Sequence, residues 1–88
     1  MTMKIETTSD GRTAVLRLVG RIESLHLDEL RAELRRHRQR LVFDLDQVTL
    51  VDVAVVRFLV ASEADGIELR NCAPYIREWM SGEGRRAF

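Results

Sequence analysis

The chain has 88 residues, 45% of them hydrophobic and 32% charged, which suits one small domain around one core. Basic and acidic side chains balance at 14 each, so no global field favours nucleic acid, an anionic membrane or an acidic substrate. The single cysteine, Cys72, excludes an internal disulfide and a CxxC or zinc pattern.

Cys72 also fits a reducing cytosol. The N-terminus lacks an apolar signal core, and no apolar run approaches membrane-spanning length. A cytoplasmic protein with no membrane insertion is expected.

Met3 to Thr8 alternates weakly, Ser9-Asp10-Gly11-Arg12 supplies turn chemistry, and Thr13 to Val19 alternates more firmly. Asp-Gly between two alternating runs predicts a β-hairpin, which Gly20 is expected to end. Ser24 is positioned to cap a helix from about Leu25 to His37, with Leu27, Leu30 and Leu34 as its apolar stripe. Glu29 and Glu33 stand toward its start and Arg35, Arg36 and Arg38 crowd its end, as the helix dipole favours. Leu41 to Leu45 reads as a central strand covered on both faces.

Asp52 is a good helix cap, although Val53, Val55, Val56 and Val60 carry strand propensity. Asp52 and Glu63 support a helix to about Ala64, closed by Asp65-Gly66, against that strand propensity, and the residues alone leave the choice open. Ile67 to Arg70 then forms a short strand. Pro74 opens a last helix on which Ile76, Trp79 and Met80 share a face. Gly82 and Gly84 are expected to end the order, leaving Arg85 to Phe88 as a frayed tail. The sum is an α/β fold in the order β-β-α-β-α-β-α: a hairpin joined to parallel strands through right-handed crossovers.

Three stretches carry a resemblance: Gly20-Arg21-Ile22 before the first helix, Leu41-Val-Phe-Asp-Leu-Asp46, and Val48-Thr-Leu-Val-Asp52. Over residues 3 to 72 the chain resembles the STAS family, the anti-sigma-factor antagonist domains. The resemblance implies a STAS-like sheet, a helix rather than a strand from Val53 to about Ala64, and a non-enzymatic protein-binding module. Its face around Asp52, with Val53, Ala54, Val55 and Arg57 as contacts, would dock an anti-sigma factor or related serine kinase.

In that family the helix entry carries a serine or threonine one or two residues after the aspartate, and a partner kinase phosphorylates it. Here those places hold Val53 and Ala54, and the family's following glycine is replaced by Val55. The docking surface is carried over; the phosphoswitch is not. The resemblance also admits an accessory subunit packed on the ATPase of a lipid-transport ABC system, or a sensor of a nucleotide or other small ligand. STAS domains commonly continue with a further strand and helix. The edge or groove these would cover is therefore expected to be bare and open to partner docking or homodimerisation.

Other constellations read as structural. Asp44 and Asp46 flank Leu45 and point the same way, but without a third ligand they form a solvated edge. His26 and His37 lie too far apart along one helix to share an ion. The arginines from Arg31 to Arg40 are interleaved with acids and lack aromatics for base stacking. No phosphate loop, nucleophile elbow or HExxH is present, so no catalytic residue, cofactor or metal is expected.

Overall fold

The computed structural model describes residues 3–86. Its elements are β1 (Lys4–Ser9), β2 (Thr13–Ile22), a 3-10 turn (Ser24–His26), α1 (Leu27–Arg36), β3 (Arg40–Val51), α2 (Val53–Ala64), β4 (Glu68–Arg70) and α3 (Pro74–Arg86). This is the expected α/β order.

The hairpin closes on its own chemistry. Asp10 Oδ1 accepts the backbone N–H groups of Arg12 at 3.0 Å and Thr13 at 2.8 Å, and Gly11 takes φ 90°. The Thr13 bond first, then the Arg12 bond, hold the Asp10 carboxyl below its usual range. β2 does not stop at Gly20. It continues to Ile22 through two register irregularities, and the φ of 94° at Gly20 lets the strand bend there. The extension is driven by burial, because Ile22 is 1% exposed and sits opposite Val51.

The four strands lie in the order β1-β2-β3-β4, antiparallel at the first pair and parallel at the other two. Leu16 and Leu18 of β2 and Phe43 and Leu45 of β3 form one core cluster with residues of all three helices. The helices therefore share one face of the sheet. β3 is not covered on both faces, as its apolar run suggested. Its second face carries Arg40, Asp44 and Asp46, with Arg17 alongside on β2, and Val42, buried on that face, stands outside the core cluster. β3 also runs on to Val51, so no separate turn precedes Asp52.

α1 starts later than expected. Ser24 is not its cap: Glu23 holds the N-cap of the 3-10 turn, where His26 Nδ1 accepts the Glu23 N–H at 2.9 Å. The stripe survives, with Leu27 and Leu30 buried and Leu34 packed against the core. Packing on the sheet overrides the β-branched propensity of α2, burying Val55, Val56, Phe58 and Leu59. β4 begins at Glu68 rather than Ile67.

The last helix corrects another expectation. α3 passes through Gly82 and Gly84 to Arg86, because tertiary contacts compensate for two poor helix formers. Met80 is 3% exposed, and the largely buried Glu83 carboxylate accepts from Arg57 Nε at 2.8 Å. Ala87 and Phe88 of the expected tail lie outside the described residues.

Candidate functional site

Asp52 is the organising residue. Its Oδ1 accepts the Val55 N–H at 3.0 Å, capping α2, and its Oδ2 accepts the Ser24 N–H at 2.7 Å. One carboxylate thus ties the chain leaving β2 to the chain leaving β3. These two parallel strands end on the same side of the molecule, so the tie sets the shape of that end.

Asp52→Ala removes both bonds. A lost cap costs about 0.5–2 kcal/mol, and the second charge-assisted bond brings the expected total to about 2 kcal/mol. At about 4–8 °C per kcal/mol for a domain of this size, the melting temperature should fall by roughly 10 °C. Asp52→Asn keeps a single acceptor oxygen and should lose about half as much. A melting temperature unchanged by Asp52→Ala would show that neither bond matters.

Of the five residues expected to contact a partner, four reach the surface. Val53 is 39% exposed, Arg57 is exposed, and Asp52 and Ala54 are half-buried. Val55 is 1% exposed and belongs to the core, because the third residue of α2 turns toward the sheet. It supports the surface from beneath.

Sequence reasoning missed three neighbours. Leu25 at 73%, Leu50 at 49% and Tyr75 at 48% are, with Val53, the exposed large hydrophobic residues among those described. All lie at the Asp52 end. Leu25 follows Ser24, Leu50 is two residues before Asp52, and the Tyr75 hydroxyl donates to the Thr49 carbonyl at 3.4 Å. The available signal was Leu25 itself, which stands off the Leu27-Leu30-Leu34 stripe. No comparable signal links Tyr75 to β3.

Hydroxyls near this turn have other roles. Ser62 is 3% exposed and donates to the Phe58 carbonyl at 2.8 Å, a back-bond within α2. Thr49 is exposed on β3, and Ser24 is exposed with its backbone N–H bound to Asp52. The turn itself presents Val53 and Ala54.

An open groove of about 440 Å³ continues from Ala54 between α1 and α2. Its walls include Leu27, Leu34 and Phe58, and the Arg31 guanidinium sits 5.8 Å from the Phe58 ring centroid. Asp44 and Asp46 lie on the opposite face of the sheet, which carries no helix among the described residues. Burial alone would raise the Asp44 carboxyl; the Asn71 bond, the Asp46 N–H and the charges of Arg17 and Arg70 hold it below the ordinary range. Among the described residues, no three of the types His, Cys, Asp and Glu gather as a metal site, and no helix is long and apolar enough to cross a membrane.

Comparison with known proteins places this architecture. No curated protein matches the chain. The crystal structure of an antisigma-factor antagonist STAS domain from Rhodobacter sphaeroides is similar with a TM-score of 0.56 and 21% identity, covering 77% of this chain and 83% of that one. At that identity the likeness is one of fold. The family model described as "Mlab, STAS domain" matches residues 5–81. Most of the sequence thus falls within one family pattern, and the chain belongs to the STAS domain family.

Proposed function

We propose that the protein is a non-enzymatic, cytoplasmic protein-binding module that docks its partner through the end organised by Asp52. The observation that carries this reading is the gathering of Leu25, Leu50, Val53 and Tyr75 there. Apolar side chains clustered at one end, beside the polar Asp52 and Arg57, have the composition of an interface centre with its rim. The partner class is an anti-sigma factor or related serine kinase, and the fold neighbour is itself an antisigma-factor antagonist.

Val53 and Ala54 make the contact a constitutive one. A phosphate at such a turn would bring up to two negative charges into an apolar contact, which is how phosphorylation releases a partner. Neither residue can accept it. A second reading, an accessory subunit on the ATPase of a lipid-transport ABC system, is favoured by this same feature, since a permanent subunit does not use a release switch. The matching family description also carries the name Mlab rather than that of an antagonist.

Capture of bound proteins from the native cytosol, followed by incubation of the complex with ATP, tests both readings. An anti-sigma factor or kinase supports the first and a transporter ATPase the second. Stoichiometric phosphate on any residue from 49 to 62 contradicts the constitutive mechanism.

A further inference from the structure

The sheet has two edges of different kinds. β4 spans three residues and is followed by Asn71 in the left-handed region, φ 58°, so it offers little for another strand to pair with. β1 spans six residues, contains no proline, and holds an unbroken register with β2 from Lys4 opposite Val19 to Ser9 opposite Ala14. Every residue of β1 except Ile5 is exposed, and among the described residues nothing pairs with its outer side. Such an edge presents a row of unpaired N–H and C=O groups.

We propose that the outer edge of β1 pairs antiparallel with β1 of a second copy, about a two-fold axis through Ile5, making one continuous sheet from two. This surface is separate from the docking end, and the proposal does not depend on the partner identified there.

Residues opposed across an antiparallel pair lie on the same face, so a two-fold normal to the sheet must pass through a residue position rather than between two. An axis at Lys4 sets lysine against lysine, and one at Glu6 sets glutamate against glutamate. An axis at Thr7 places Ile5 against the polar Ser9. It also gives Lys4 to Asp10, whose carboxylate is already engaged by the turn. The axis at Ile5 avoids both like-charge pairs and leaves Asp10 to its turn: Ile5 meets Ile5 of the second copy and Lys4 meets Glu6 in both directions, while Met3, held in its own core, stands opposite Thr7.

The surroundings suit that register. Lys4 Nζ lies 3.3 Å from Glu6 Oε2 within each strand, and Arg17 backs Glu6 at 3.9 Å. Four charges alternating in sign would surround the axis on this face. On the other face Ile5 packs against the core and Met3 belongs to it, so joining two Ile5 side chains extends both cores toward each other. The paired segment is short, which places the dimer among weak, concentration-dependent associations.

Charge exchange tests the register. Lys4→Glu sets Glu against Glu across the axis, and Glu6→Lys sets Lys against Lys. In sedimentation velocity each variant alone should remain monomeric at concentrations where the wild type dimerises. Mixing the two variants in equal amounts opposes the introduced glutamate of one chain to the introduced lysine of the other. The native Glu6 of the first chain then faces the native Lys4 of the second, so the dimer should return.

A symmetric cysteine gives an independent reading. With Cys72 replaced by Ser, Ile5→Cys should form a disulfide-linked dimer under oxidant. Opposed Cα atoms are about 4.5–5.5 Å apart, within disulfide reach. Thr7→Cys should not. A wild type that stays monomeric to about 1 mM, the range of weak complexes, overturns the proposal. A mixture that fails to re-dimerise, or cross-linking at Thr7 in preference to Ile5, overturns it equally.

Discussion

Phe43→Ala should bring this domain close to unfolding. Phe43 is fully buried in the middle of β3, and its ring centroid lies 6.0 Å from that of Phe58 on α2, tilted by 33°. It therefore joins the sheet to the helix that carries the candidate site. Truncating a buried phenylalanine costs about 3–5 kcal/mol, part of it for the cavity left behind. Aromatic pairing adds about 0.5–1.5 kcal/mol beyond area burial.

Against that stands a total stability of roughly 4–13 kcal/mol, from about 0.05–0.15 kcal/mol per residue. With a urea dependence of about 1–3 kcal/mol per molar, the unfolding midpoint should fall by on the order of 2 M. Leu25→Ala is the control. Leu25 is 73% exposed, and its loss should change stability by no more than about 0.5 kcal/mol. Equal midpoints for the two variants would show that the core and the exposed cluster are wrongly assigned.

Val53→Glu should do the reverse, leaving the fold intact while abolishing docking. Val53 is the first residue of α2, where the helix dipole favours a negative charge by about 0.3–1 kcal/mol. The adjacent Asp52 opposes part of that gain, so the net change in stability should be small. At the proposed docking surface the same charge must be desolvated against an apolar partner, a cost of several kcal/mol if it stays unpaired. A tenfold loss of affinity corresponds to about 1.4 kcal/mol. A loss of at least tenfold is therefore the expected floor, measured by titration against the protein captured by the wild type. Val53→Glu would build permanently the charge that a phosphoswitch adds on demand. Unchanged affinity, with Leu25→Ala also silent, would remove this end of the molecule as the docking surface.

Local chemistry made much of the architecture legible. Asp10-Gly11 specifies the hairpin because its side-chain bonds and positive φ need only neighbouring residues. The Asp52 cap and the Asp65-Gly66 stop delimit α2 for the same reason: each bond spans only a few residues. The apolar stripe of α1 follows from helical periodicity. Element order came from these local signals together with the resemblance carried by the stretches around Gly20, Phe43 and Asp52.

Features set by long-range contact were not legible. Ile22 and Val51 lengthen their strands because each buries beside the other, and α3 crosses Gly82 and Gly84 because Met80 and Glu83 are held by packing and by Arg57. Val55 reads as a surface residue from its distance to Asp52, yet the rotation of α2 against the sheet turns it inward.

The sequence by itself determined that Asp52 stands ready to cap a helix and that the residues directly after it offer no hydroxyl to a kinase. Both depend only on which residues follow one another. The tertiary structure alone decided that Leu25, Leu50, Val53 and Tyr75 share one end and that, among the described residues, the helices leave one face of the sheet open and β1 keeps a free edge. Those outcomes depend on which distant segments exclude water from one another, and burial of that kind is a property of the assembled core rather than of any local stretch.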